Sequence, residues 1–235
     1  GMSKPVELTL ADIDVQYRNV ADGNLDLMLM SWQPVTHGNY LKRYGDRLVD
    51  LGPLYRDARL GWAVPTYVPA DAVATPADLA RHAERFGRRI VGIDPGAGLM
   101  RRSRALLTAA GLDDWQLKEG TGPLMARTVL QAVDKGDWVV ATLWSPHWLF
   151  AETELRYLED PDGVFKPLEA VHALARPGFE SDYPEVAGFI RRFELELGDI
   201  EAMMAAARSK GHKQAVRDFI AANRERVAYW MTGQR

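Results

Sequence analysis

The chain contains no cysteine. Within these residues that excludes disulfides, thiolate metal sites, cysteine nucleophiles and a lipid-modified cysteine. Also absent is any apolar run approaching the ~20 residues of a membrane-spanning helix. The opening residues, Gly1-Met2-Ser3-Lys4-Pro5, have neither the apolar stretch nor the small-residue cleavage site of a secretory signal. Positive charge is not in excess: 29 Lys and Arg against 32 Asp and Glu leave a net charge of -3. No basic footprint for nucleic acid is therefore expected.

Catalytic signatures are missing as well. There is no Gly-x-Ser-x-Gly elbow and no convincing carboxylate pair; Asp12, Asp14, Glu152 and Glu154 read as surface charges. The five histidines (His37, His82, His147, His172 and His212) show no helical metal-ligand spacing, so neither a zinc site nor a cofactor is expected. What remains is an ordinary globular composition, 47% hydrophobic and 26% charged over 235 residues, enough for one large domain or two lobes.

Short apolar runs alternate with helical stretches, the pattern of an α/β protein. Strands are expected at Val6–Leu10, Leu25–Met30, Leu60–Val64, Arg89–Ile93, Trp138–Leu143 and His172–Ala175. Helices are expected at Val15–Ala21, at Gly38–Tyr44 with Thr36 as cap, at Leu99–Ala110 and at Leu124–Lys135. A helical tail follows: Val186–Phe193, Ile200–Lys210 and Ala215–Trp230. Two α/β lobes are expected, residues 1–64 with 172–235 forming one and residues 65–171 the other.

The seven tryptophans are unevenly placed. Trp32 lies in Ser31-Trp32-Gln33-Pro34, and Trp144 and Trp148 lie in Trp144-Ser145-Pro146-His147-Trp148, both just after an expected strand. Ligands of open α/β sheets bind beyond the carboxyl ends of strands. Each ring alone reads as core filling; the matched positions of two tilt the reading toward a binding role. Indole faces suit a methylated cation, which has no N–H to donate, because the ring quadrupole attracts its charge and the apolar surface accepts its methyls.

A second candidate is Ile93-Asp94-Pro95-Gly96-Ala97-Gly98-Leu99-Met100, a Gly-rich turn between strand and helix. Backbone N–H groups at the helix start, around Gly98 and Leu99, are placed to hold an anion such as a carboxylate. The segment has neither the Gly-Lys-Ser/Thr ending of a P-loop nor the dinucleotide glycine spacing. His37, three residues after Pro34, is placed to hydrogen-bond a carboxylate, while His147 reads as a ligand group or a turn cap.

These segments, with Tyr44-Gly45-Asp46-Arg47-Leu48-Val49-Asp50-Leu51-Gly52 and Leu158-Glu159-Asp160-Pro161, resemble in order the glycine betaine substrate-binding family of ABC importers. The resemblance implies a two-lobed type II periplasmic-binding-protein fold with the ligand cleft between lobes. It implies a non-catalytic protein that delivers a quaternary ammonium osmolyte to ABC permease subunits in the periplasm, without a cofactor. On it, Trp32 and Trp144 belong to an aromatic box, and the carboxylate is held by the Gly98 and Leu99 amides and His37. Pro34, His147 and Trp148 are secondary candidates. Choline, carnitine, proline betaine or an amino acid are alternative ligands, and a non-transport interaction module is an alternative role.

Two departures stand out. The family pattern places a strand, a loop with another box aromatic and a helix ahead of Val6–Leu10, where this chain almost begins. From the resemblance we expect a rearranged first lobe or a dimer that shields the gap, with binding weakened or abolished by the missing aromatic. Leu143 stands where the family commonly has glycine, which changes the expected cleft shape.

Overall fold

The computed structural model describes residues 5–234. In chain order it forms α1 (Ile13–Ala21), β1 (Leu27–Gln33), α2 (Gly38–Tyr44), β2 (Val49–Pro65), α3 (Ala83–Phe86), β3 (Arg89–Val91), α4 (Gly98–Ala109), β4 (Gln116–Lys118) and α5 (Gly122–Lys135). Then come β5 (Ala141–Ser145), α6 (Leu149–Glu152), β6 (Leu155–Tyr157), β7 (Glu169–Ala175), α7 (Phe179–Asp182), α8 (Pro184–Arg192), α9 (Leu197–Lys210), α10 (His212–Ala222) and α11 (Arg224–Thr232). The described residues fall into two units: one of 5–58, 169–199 and 210–234, the other of 59–168 and 200–209.

In the first unit β7 is the central strand, antiparallel to β1 on one side and to the first part of β2 on the other. Side chains of a strand alternate between faces. Ala173 and Ala175 therefore pack with Leu51, Leu54, Phe179, Ala187 and Ile190 on one face. Leu174 packs on the other with Tyr17, Val20, Met28 and Tyr44. Burial on both faces explains why this strand is almost uniformly apolar after Glu169. Asp57, with φ 59°, lies in the register shift between Tyr55 and Ala58, the last residue of β2 paired with β7; aspartate is among the few residues that tolerate the left-handed region.

In the second unit, the rest of β2 pairs antiparallel with β5 and β6, while β5, β3 and β4 run parallel. Helices α4 and α5 make the crossovers that parallel strands require. Gly92 is demanded by close approach, since a Cβ there would lie 2.7 Å from the Lys118 carbonyl oxygen and 2.7 Å from Met100 Sδ. Trp62 is buried, its indole N–H donating to Ser103 Oγ of α4 at 2.9 Å.

Several expected elements are displaced. Val6–Leu10 forms no strand; it pairs with nothing among the described residues, and Val6, Leu8 and Leu10 are 83%, 88% and 98% exposed. A β pattern without a partner strand has no ladder to join. β1 runs through Trp32 to Gln33, because its pairing with β7 continues that far. The strand expected at Trp138–Leu143 runs instead from Ala141 to Ser145 and so includes Trp144. The last expected helix is two, interrupted at Asn223 (φ -122°, ψ 40°), whose side-chain amide donates to the Phe219 carbonyl at 2.9 Å. Thr36 does not cap α2: His37 holds that position, and the Thr36 hydroxyl turns to Glu169.

Candidate functional site

The first unit contains Trp32, at the end of β1, and Pro34 and His37, in the short loop that follows it. The Trp32 backbone N–H donates to His37 Nδ1 at 3.0 Å, while the His37 N–H donates to the Trp32 carbonyl at 3.1 Å. An accepting Nδ1 places the proton of the neutral ring on Nε2. The ring stands edge-on to Tyr17 (centroids 5.7 Å) and to Tyr40 (5.9 Å), which stack on each other at 5.0 Å. Tyr17 is fully buried, bonded to Ser31 Oγ at 2.6 Å, and burial pushes its phenol pKa up to about 12. It therefore acts as a neutral hydroxyl.

Below the loop lies Glu169, 2% exposed, at the head of β7. Its carboxylate accepts from the backbone N–H groups of Val35 (3.1 Å) and Thr36 (2.8 Å) and from the Thr36 hydroxyl. Charge-assisted bonds of this kind are roughly twice as strong as neutral ones. Glu169 thus fixes the course of 33–37, and with it the His37 ring. Sequence reasoning missed this residue; the available signal was a single acid heading an apolar strand.

The second unit contains Gly98, Leu99, Trp144, His147 and Trp148. Parallel pairing of β3 with β5 brings the carboxyl ends of both strands to one side of the sheet. α4 starts beyond the first and Trp144 lies at the end of the second. Gly98 and Leu99 are the first two residues of α4, where backbone N–H groups have no intrahelical acceptor. Ala97, at the cap, has no side-chain acceptor to offer them. The Leu99 side chain is buried, so this residue presents only its backbone. Gly122, opening α5, lies under the Trp144 ring: a Cβ there would be 3.8 Å from its outer edge.

Trp144 meets the His147 ring edge-on (4.6 Å), and His147 stacks on Trp148 at 5.3 Å. His147 is 5% exposed; burial pushes its pKa down to about 4, so the ring is neutral. Its Nδ1 accepts from the Leu149 N–H at 3.2 Å, making it a turn cap at the start of α6. The Trp148 face carries the Arg208 guanidinium at 3.7 Å. Ser145 Oγ bonds Tyr157 OH at 2.9 Å, and burial raises the Tyr157 pKa. Glu201 and Arg208 lie in a tail helix remote in sequence, and no sequence signal pointed to them.

Among the described residues no group of three or more His, Asp or Glu is arranged to hold a metal ion. No helix among them is long and apolar enough to cross a membrane.

Comparison with known proteins identifies the family and the fold. A family profile described as the substrate binding domain of ABC-type glycine betaine transport system (OpuAC) matches residues 2–222. The glycine betaine/carnitine transport binding protein GbuC of Listeria monocytogenes is 29% identical over 187 residues, covering 78% of this chain. The chain spans 62% of that relative's length. Lactococcal OpuAC, solved closed in complex with glycine betaine, is 31% identical with a TM-score of 0.87, over 95% of this chain and 87% of that one. The glycine betaine/L-proline-binding protein ProX of Borrelia burgdorferi is 28% identical with a TM-score of 0.82, over 94% and 83%. The expected α/β binding-protein fold is thus the observed one. The chain belongs to the family of substrate-binding domains of ABC-type glycine betaine transport systems.

Proposed function

We propose that this protein binds a quaternary ammonium solute carrying a carboxylate, of the glycine betaine type, and presents it to the permease of an ABC importer in the periplasm, without catalysis. The observation that carries this reading is in the second unit. An indole (Trp144) and the uncapped amides of a helix start (Gly98, Leu99) end neighbouring parallel strands. That pairs a surface for a methylated cation with donors for an anion. Each aromatic face contributes ~0.5–2 kcal/mol to such a cation, and amides at a helix start favour the carboxylate. In the first unit Trp32 supplies a second indole and His37 an Nε2 donor, consistent with the same ligand chemistry.

Choline is less well served, because without a carboxylate the amides of Gly98 and Leu99 and the His37 donor lose their partner. Calorimetry with glycine betaine, carnitine, choline and proline on the protein and on Trp32→Ala and Trp144→Ala tests the reading. Glycine betaine or carnitine should bind, with each substitution weakening binding at least tenfold. Failure of the protein to bind any quaternary ammonium would overturn it.

A dimer is supported by one further feature. β1 is the outermost strand of its sheet among the described residues, with Leu29 and Met30 exposed, and open edges invite strand addition. The run Val6, Leu8, Leu10 of a second copy has the alternation to fill it. Sedimentation of the protein and of Leu8→Asp should give a dimer for the first and a monomer for the second; a monomer in both cases overturns the dimer.

A further inference from the structure

Residues 200–209 of α9 belong to the second unit, and they meet the Trp144 loop at two points. The Glu201 carboxyl lies near the His147 backbone N–H and the Ser145 hydroxyl, both of which favour its charged form. Arg208 is seven residues further, two turns along the same helical face. Its guanidinium lies 3.7 Å from the Trp148 ring centre and pairs with Glu152 of α6. Between these points runs a continuous set of ring contacts: Arg208 on Trp148, Trp148 on His147 at 5.3 Å, His147 against Trp144 at 4.6 Å. The Ser145 hydroxyl also bonds Tyr157 OH at 2.9 Å, and the Tyr157 ring lies 4.3 Å from the Arg59 guanidinium.

We propose that α9 is a brace that sets the position of the Trp144 ring through the 145–149 turn, with Arg208 and Glu201 as the positioning residues. This rests on the ligand-binding role proposed for Trp144. A half-buried carboxylate loses hydration, and the unfavourable burial is visible in its raised pKa. It is offset only by donors aimed at it. Those donors belong to Ser145 and His147, within three residues of Trp144, so the carboxylate helps fix where the strand end turns. Arg208 holds the Trp148 ring by its contact at 3.7 Å while paired with Glu152, and neither residue needs to touch the ligand to matter.

The test uses the whole chain, with Glu201→Ala, Glu201→Gln and Arg208→Ala. In the ligand-free protein, the amides of His147 and Leu149 should exchange hydrogen at least tenfold faster in Glu201→Ala and Arg208→Ala, while those of α5 stay unchanged. Unchanged exchange at 147 and 149 overturns the brace. With glycine betaine, Glu201→Ala should weaken binding roughly tenfold. Glu201→Gln, which keeps one acceptor oxygen, should recover part of that loss. Faster exchange with unaltered affinity would overturn the positioning of Trp144. If the unsubstituted protein binds no quaternary ammonium, the proposed function fails, and the exchange measurement still decides on the brace. Arg208→Ala, at a partly exposed side chain, keeps the test open should the Glu201 variants not fold.

Discussion

Trp32 and His37 are bound to each other twice, the Trp32 N–H donating to His37 Nδ1 at 3.0 Å and the His37 N–H to the Trp32 carbonyl at 3.1 Å. A six-residue turn is closed by this exchange, and the imidazole tautomer is decided by it. With Nδ1 accepting, the ring offers a donor at Nε2.

On the proposed role, His37→Ala should weaken glycine betaine binding by roughly tenfold or more, about 1.4 kcal/mol, and choline binding much less. The comparison of the two ligands by calorimetry separates a lost carboxylate donor from a collapsed loop, which would weaken both alike.

Glu169 is buried and receives three donors from Val35 and Thr36. Glu169→Gln replaces an acceptor oxygen with an NH2 facing those donors. We expect a loss of about 2–4 kcal/mol, in the range for a broken buried charged hydrogen-bond set. Urea denaturation of both proteins measures it, and a change below ~0.5 kcal/mol would show that the loop holds itself.

His147 is expected to lower stability in acid. Its folded pKa is pushed from 6.5 down to about 4, so between these values the unfolded chain binds a proton that the folded chain does not. Stability therefore falls as pH drops through that window. At ~1.4 kcal/mol per pH unit the loss by pH 5 is at most about 2 kcal/mol. Denaturation at pH 7 and pH 5 should show this loss in the protein and not in His147→Asn. The raised pKa of Glu201 acts with the opposite sign and is common to both proteins, so the difference isolates the imidazole.

Gly92→Ala tests the approach of α4 to the sheet. Its new methyl would meet the Lys118 carbonyl oxygen and Met100 Sδ, each at 2.7 Å, and the first of these is backbone that cannot swing aside. Overpacking of this kind costs ~1–3 kcal/mol. A stable variant with unchanged glycine betaine affinity would mean that strand and helix yield there without moving Gly98 and Leu99.

Much was legible before the structure. Alternating short apolar runs and capped helices identify an α/β chain because periodicity and capping are local properties, written within a few residues of one another. The positions of Trp32, Trp144, Gly98 and Leu99 at strand ends and a helix start follow from the same local reading, as does the family resemblance, since its motifs occur in chain order. Only the tertiary structure decided which strand partners exist. Val6–Leu10 has the alternation of a strand and none of the pairing, whereas β1 and β5 extend through their tryptophans because β7 and β2 lie alongside. Likewise, nothing near Thr36 in sequence announces Glu169, more than a hundred residues away, and nothing near Trp144 announces Glu201 and Arg208. Hydrogen bonds and ring contacts between distant segments depend on where folding brings the backbone, and a single charge in the sequence does not say which donor it will meet.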